Sequence, residues 1–285
     1  MKPVPPARLW GFLARKEPIG VLLRRGPSKR VLMIRWDLRN DTFKTGQWLK
    51  GRVYEHRSDL SPDGKLFIYF AANQRPPMIS WTAISKPPYF TALALWPKGD
   101  CWNGGGWFVA EKKIRLNHAQ SETKLDRRFR LGPIKISGYA EYRGEDSTVW
   151  DFVRERDGWK IVTEGKAIYR GLQTGWVQDP PSQWLRPNPT RKTFVLEMLI
   201  TGVGGKNTPW YKLRYRVLRT DDVLTDLGLA DWADWDACGN LVFAKSGCLY
   251  RSRLDNAFSD EPAQLADFNS LQFENVLPTP EATRW

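Results

Sequence analysis

Two stretches 175 residues apart carry the same short pattern, and that recurrence constrains the fold of this chain more than any other feature. In DLSPDGKLFIYF (59–70) and DWDACGNLVFAK (234–245), Asp59 aligns with Asp234, Gly64 with Gly239 and Leu66 with Leu241. The offset is near four units of about 44 residues, a period typical of repeat architectures. A third copy, RDGWKIVTEGKAIYR (156–170), aligns without a gap on ACGNLVFAKSGCLYR (237–251), sharing Gly158/Gly239, Tyr169/Tyr250 and Arg170/Arg251. A fourth, GGWFVAEKKIRLN (105–117), fits after one deletion.

The unit has a simple physical reading. A glycine sits where the backbone turns with positive φ, an apolar strand follows, then a two-residue turn and a returning strand. Ser246-Gly247 and Gly165-Lys166 occupy that second turn. If Ser246 and Gly247 form the turn, Lys245 faces Cys248, Cys238 falls opposite Asp255, and the two cysteines cannot bridge.

The marker glycines stand at 64, 106, 158 and 239, in steps of 42, 52 and 81 residues. The last step spans two units, with RKTFVLEMLITGVGG (191–205) as the degenerate copy between them. The fold expected is all-β: a β-propeller-like ring of about five blades, six as the alternative. The last unit lacks strands that IGVLLRRG (19–26) and KRVLMIRW (29–36) can supply, so the ring is expected to close by pairing of N- and C-terminal strands. One domain spans 1–285, with an N-terminal arm over 1–18 and a polar acidic tail over 254–285.

The Ser61-Pro62-Asp63-Gly64 turn leading into an apolar strand resembles the blade repeats of β-propellers of the TolB-like and WD40-like superfamily. The Trp-Asp pair of a WD40 repeat occurs at Trp36-Asp37, Trp150-Asp151 and Trp235-Asp236, without the accompanying Gly-His. The resemblance implies a fold and no activity.

Motifs for chemistry are absent or broken. GVGGKNT (202–208) has Ile200 and Asn207 where a phosphate-binding P-loop needs Gly and Ser or Thr, and CWNGGGW (101–107) lacks the spacing of a dinucleotide loop. No G-x-S-x-G occurs. Three Cys with no C-x-x-C, and His56 and His118 in no ligand cluster, point to neither a disulfide framework nor a metal site. The adjacent acidic pairs Glu145-Asp146 and Asp221-Asp222 are the carboxylates a propeller glycosidase would need at a channel mouth, but turns and strand caps also use such pairs. Of the 15 Trp, Trp102 with Trp107, or Trp232 with Trp235, could form a stacking surface, although burial between blades accounts for them better. No catalytic, cofactor or metal residue is assigned.

Charge carries the functional signal. Residues 1–57 hold 14 Lys/Arg against 4 Asp/Glu, whereas residues 220–285 hold 4 against 12. The overall charge is +13, and such asymmetry suggests a basic surface for acidic partners. Arg24, Arg25, Lys29 and Arg30 near the start, and Lys212, Arg214 and Arg216 alternating on one strand face, are its candidate members. The apolar patch 9–14 is shorter than a secretory core, and no window reaches the roughly 18 apolar residues of a membrane span. A transit peptide over residues 7–16 is the alternative, against which the lack of Ser there counts. The function expected is a cytoplasmic, non-enzymatic interaction module that binds a protein partner through its loops. Nucleic-acid binding through a basic face, and a glycan-binding or hydrolase-type propeller, are the alternatives.

Overall fold

The computed structural model describes residues 4–26, 29–139, 146–169, 175–204, 210–220, 222–253 and 261–285. The chain divides into two compact units, residues 1–153 with 270–285, and residues 154–269. The second unit is thus inserted within the sequence of the first.

In the first unit, strands β1 (Arg8–Leu13), β2 (Ile19–Arg25), β3 (Arg30–Asp37) and β4 (Thr42–Lys50) form an antiparallel four-stranded meander. A second meander follows in β5 (Arg52–Leu60), β6 (Phe67–Ala72), β7 (Ser80–Ser85) and β8 (Ala92–Lys98). The third sheet holds the hairpin β9 (Gly106–Ala110) and β10 (Lys113–Leu116), with β11 (Lys135–Tyr139) parallel to β10. Period-two alternation explains the packing. Phe67, Tyr69 and Ala71 face the first sheet, meeting Phe12, Val21, Leu23 and Met33, while Ile68 turns the other way onto Phe108, Ile114 and Leu116 of the third. The second sheet is therefore buried on both faces, and the first strands β1, β5 and β9 are neighbours in turn.

A helix, α1 (Ser147–Arg156), comes next. The second unit contains β12 (Lys160–Thr163), β13 (Ala167–Tyr169), β14 (Trp176–Pro187), β15 (Phe194–Val203), β16 (Tyr211–Arg219) and β17 (Asp222–Leu229) in one sheet. A last meander holds β18 (Trp232–Trp235), β19 (Leu241–Lys245), β20 (Cys248–Ser252) and β21 (Ala263–Asp267). The architecture is all-β, in multiple antiparallel sheets, and among the described residues no helix is long and apolar enough to cross a membrane.

Two of the four marker glycines are equivalent. Gly64 (φ +69°) and Gly239 (φ +82°) close matching turns between the first two strands of their meanders, donating to the carbonyls of Ser61 (2.9 Å) and Asp236 (3.0 Å). The turn side chains also match: Leu66 N donates to Ser61 Oγ, and Asn240 N to Asp236 Oδ1, both at 2.9 Å. Replacing either glycine with alanine is expected to cost about 1–2 kcal/mol, because the left-handed conformation penalises a Cβ. An added Cβ at Gly64 would also lie 2.8 Å from Ile19. Urea midpoints of the two variants test this, and unchanged midpoints would refute the turn assignment.

The other two glycines differ from the expectation. Gly106 begins β9 and has no positive φ; the turn belongs to Asn103, Gly104 and Gly105 just before it. Gly158 (φ +91°) ends α1, with Gly158 N donating to Glu155 O and Trp159 N to Arg154 O, the paired bonds of a helix-terminating glycine. Nor is the Gly165-Lys166 segment a hairpin turn. Strands β12 and β13 both pair with β14 and behave as two halves of one interrupted strand. The break falls opposite Pro180 and Pro181 of β14, which have no N–H to offer a ladder, and there Gly165 N turns to Ser182 Oγ instead (3.1 Å). Ser246-Gly247 does form the expected turn, with Lys245 opposite Cys248, and Cys101, Cys238 and Cys248 are free thiols. Asp255, the expected neighbour of Cys238, lies outside the described residues.

Among the described residues, no sheet combines N- and C-terminal strands, so the expected pairing is not seen. Strand β1, in the expected arm, completes a sheet with β2 to β4, and β21, in the expected tail, completes one with β18 to β20. Each end of the chain makes four local strands, so neither meander needs a strand from the other. Residues 270–285 are likewise packed: Lys86 Nζ donates to Glu281 O (2.9 Å), and Trp285 Nε1 to Arg130 O (2.9 Å).

Candidate anion-binding surface

The region where β1, β5 and β9 lie side by side is filled by the start of α1. Trp150 sets its ring 3.9 Å from His56, which also lies 4.3 Å from Trp10, and Phe152 stacks on Trp107 at 5.0 Å. Asp146, whose carbonyl accepts the first helical bond from Trp150 N (3.1 Å), takes Arg57 Nε at 2.5 Å, and both side chains are buried. The guanidinium also donates to the carbonyls of Cys101 (2.7 Å) and Asn103 (2.6 Å), fixing the glycine-rich loop from below. The Asp146 carboxylate is thus engaged in a buried ion pair. Its neighbour Glu145 and the residue Asp221 lie outside the described residues, and Asp222 is exposed.

His118 is buried in a separate network. Thr82 Oγ1 accepts from Gly105 N (2.7 Å), so its own proton points to His118 Nε2 (2.8 Å), which leaves His118 Nδ1–H to donate to Glu122 O (2.9 Å). Burial first, then the nearby Lys98 ammonium, push its pKa down to about 4 although the Glu122 contacts oppose this. Neither ring nitrogen is open to a ligand in that tautomer. Among the described residues no His/Cys/Asp/Glu group is arranged to hold a metal ion. Trp107, Trp232 and Trp235 are buried, whereas Trp102 is 58% exposed at the loop tip.

The first sheet brings cations together. Register places Arg8 opposite Arg25, and Arg30 opposite Lys50, at the end of the sheet where β2 turns into β3. Gly51 N donates to Lys29 O (3.0 Å), carrying the chain across that same end to Arg52. Six basic residues, Arg8, Arg25, Lys29, Arg30, Lys50 and Arg52, thus gather there, with Glu55 beside them. Desolvation would raise the Glu55 carboxyl, but His56, Arg25 and Arg52 hold it below its ordinary value. Desolvation, together with Arg52 and Arg8, lowers Arg25 despite the attraction of Glu55. Burial is the first cause and the repulsion from Arg52 and Arg8 adds to it, a setting that attracts an anion. Arg52 lies over the Tyr54 ring at 4.3 Å, and burial with the Cys101 thiol lifts the Tyr54 hydroxyl to about 12.

A groove of about 360 Å³ adjoins this end, bounded by β4 residues 47–50, Phe90 and Thr91, and residues 273–276. Gln47 builds its floor: Oε1 accepts from Phe90 N (2.8 Å) and Thr91 N (3.0 Å), and Nε2 donates to Val276 O (3.3 Å). Phe273 sits on the lip with the Arg30 guanidinium 4.0 Å from its ring centre and the Trp48 ring at 6.3 Å.

The expected basic residues therefore separate into groups. Arg25, Lys29 and Arg30 belong to the cluster. Arg24 faces inward at 2% exposure, donating to Gly26 O (2.5 Å) with its guanidinium 5.5 Å from the Trp48 ring centre. Lys212, Arg214 and Arg216 do share the outer face of β16, over buried Leu213, Tyr215 and Val217, but in the second unit. Arg214 is ion-paired with Asp226 and Arg216 with Glu197, so two of these three cations are neutralised within their own sheet. Sequence reasoning passed over Arg8, Lys50, Arg52, Trp48 and Phe273. The first three lie in the basic first 57 residues and were open to detection; Phe273 has no local signal at all.

No family model matches this chain, and no curated protein does. Among solved structures, it is similar to the β-propeller domain of the Trilobed protease from Pyrococcus furiosus, with 12% identity over 93% of this chain and 100% of that one, at a TM-score of 0.32. It is also similar to an uncharacterized protein of Listeria monocytogenes EGD-e, with 12% identity over 95% of this chain and 86% of that one, at a TM-score of 0.29. Both likenesses are remote.

Proposed function

We propose that this chain is a non-enzymatic interaction module that holds a polyanionic partner at the basic end of its first sheet. The observation that carries the reading is the gathering of Arg8, Arg25, Lys29, Arg30, Lys50 and Arg52 at one end of the first sheet, where the one carboxylate Glu55 interacts with Arg25 and Arg52. Cations brought this close repel one another, and an incoming anion relieves that repulsion while oriented guanidiniums bind its oxygens. We read the successive meanders, with β1, β5 and β9 adjoining, as propeller-like blades whose rims offer such loop surfaces. The interior against those strands is occupied by α1, which favours the rim over the interior as the contact region.

The test uses polyglutamate as the probe. Lys29 and Lys50 are exposed, so the double variant K29E/K50E is expected to keep the fold, checked by an unchanged urea midpoint. It is expected to bind polyglutamate more weakly and to elute from an immobilised polyanion at lower salt than the parent chain. Equal affinity and equal elution would overturn the reading.

A further inference from the structure

We infer that the polyanion held at this end of the first sheet is a single-stranded nucleic acid, lying along the groove beside β4; the inference rests on the binding reading above. An acidic polypeptide needs cations alone. This surface sets rings beside its cations: the Trp48 and Phe273 rings adjoin, and the Arg30 guanidinium lies over Phe273. Phe273 remains 48% exposed although Arg30 covers part of it, so ring surface is open on the lip.

The groove's volume of about 360 Å³ lies at the lower end of the range for small-ligand sites, about 300–1,000 Å³, which suits a base or two and not a folded domain. Unpaired bases present flat faces that stack on aromatic rings and guanidiniums, while the phosphates between them pair with lysine and arginine. A duplex keeps its bases stacked on one another and offers this surface its phosphates only. Glu274 on the groove wall repels phosphate, which directs the backbone toward Lys29 and Lys50 and the bases toward Phe273.

The experiment titrates the full chain at low ionic strength with labelled oligothymidylate, oligouridylate, duplex DNA of equal length and polyglutamate, following anisotropy. Either single strand is expected to bind more tightly than duplex or polyglutamate. Phe273→Ala is expected to weaken single strands by about fivefold or more and leave the other two probes unchanged, with Phe273→Tyr restoring the loss. Duplex bound as tightly as single strands, or Phe273→Ala without effect on them, would overturn the inference. Polyglutamate bound with single strands ignored overturns this inference and leaves the binding module standing. No binding of any probe overturns both.

Discussion

Replacing Arg57 with methionine should lower the stability of the first unit by about 3–5 kcal/mol, the usual penalty for stranding one partner of a buried ion pair. Its guanidinium is the donor for Asp146 Oδ1 and for the carbonyls of Cys101 and Asn103, and both charged side chains lie out of solvent. Methionine fills the volume and supplies no donor, so the Asp146 carboxylate is left buried without that charge partner. The reverse change, Asp146→Leu, should cost a similar amount, and the double variant R57M/D146L should be clearly more stable than the sum of the two losses predicts. Urea unfolding of all four proteins measures this coupling. Additive losses would show that the pair does not hold α1 to the strands.

The second large effect is on pH dependence. His118 has a folded pKa of about 4 against an ordinary value of 6.5. Between those values the unfolded chain binds the proton and the folded chain does not, so stability falls as pH drops from 6.5 toward 4, by about 3 kcal/mol in all. Above 6.5 the residue is neutral in both states and contributes no slope. The charged groups facing it are Lys98 and Glu122, which pair with each other, and Asp100 lies 3.6 Å from the Lys98 ammonium. His118→Gln retains a donor and an acceptor but cannot charge. Its stability profile should be flatter than the parent's between pH 6.5 and 4, and superimposable profiles would exclude His118 as the source.

The third repeat copy shows how far a local pattern can be trusted. Gly158 aligns with Gly239 residue for residue, and both have positive φ, yet one ends a helix and the other turns a hairpin. The conformational demand on the glycine is the same in both settings. The distinguishing signal lay upstream, in STVWDFVRER, where Val149, Trp150 and Val153 recur at helical spacing and precede the glycine as a helix terminus requires. Alternating apolar residues misled less: β6, β9, β16 and β19 all stand where alternation or an apolar run placed them.

What the amino-acid order determines by itself is therefore short-ranged. Strand periodicity, the positive-φ turns at Gly64, Gly239 and Ser246-Gly247, and the excess of cations before residue 58 depend on neighbours within a few positions. The tertiary structure alone decided which strands share a sheet, that Asp146 meets Arg57, and that Phe273 covers Arg30. Those partners are 89 and 243 positions apart, and no local pattern encodes a contact whose strength comes from excluding water between distant segments.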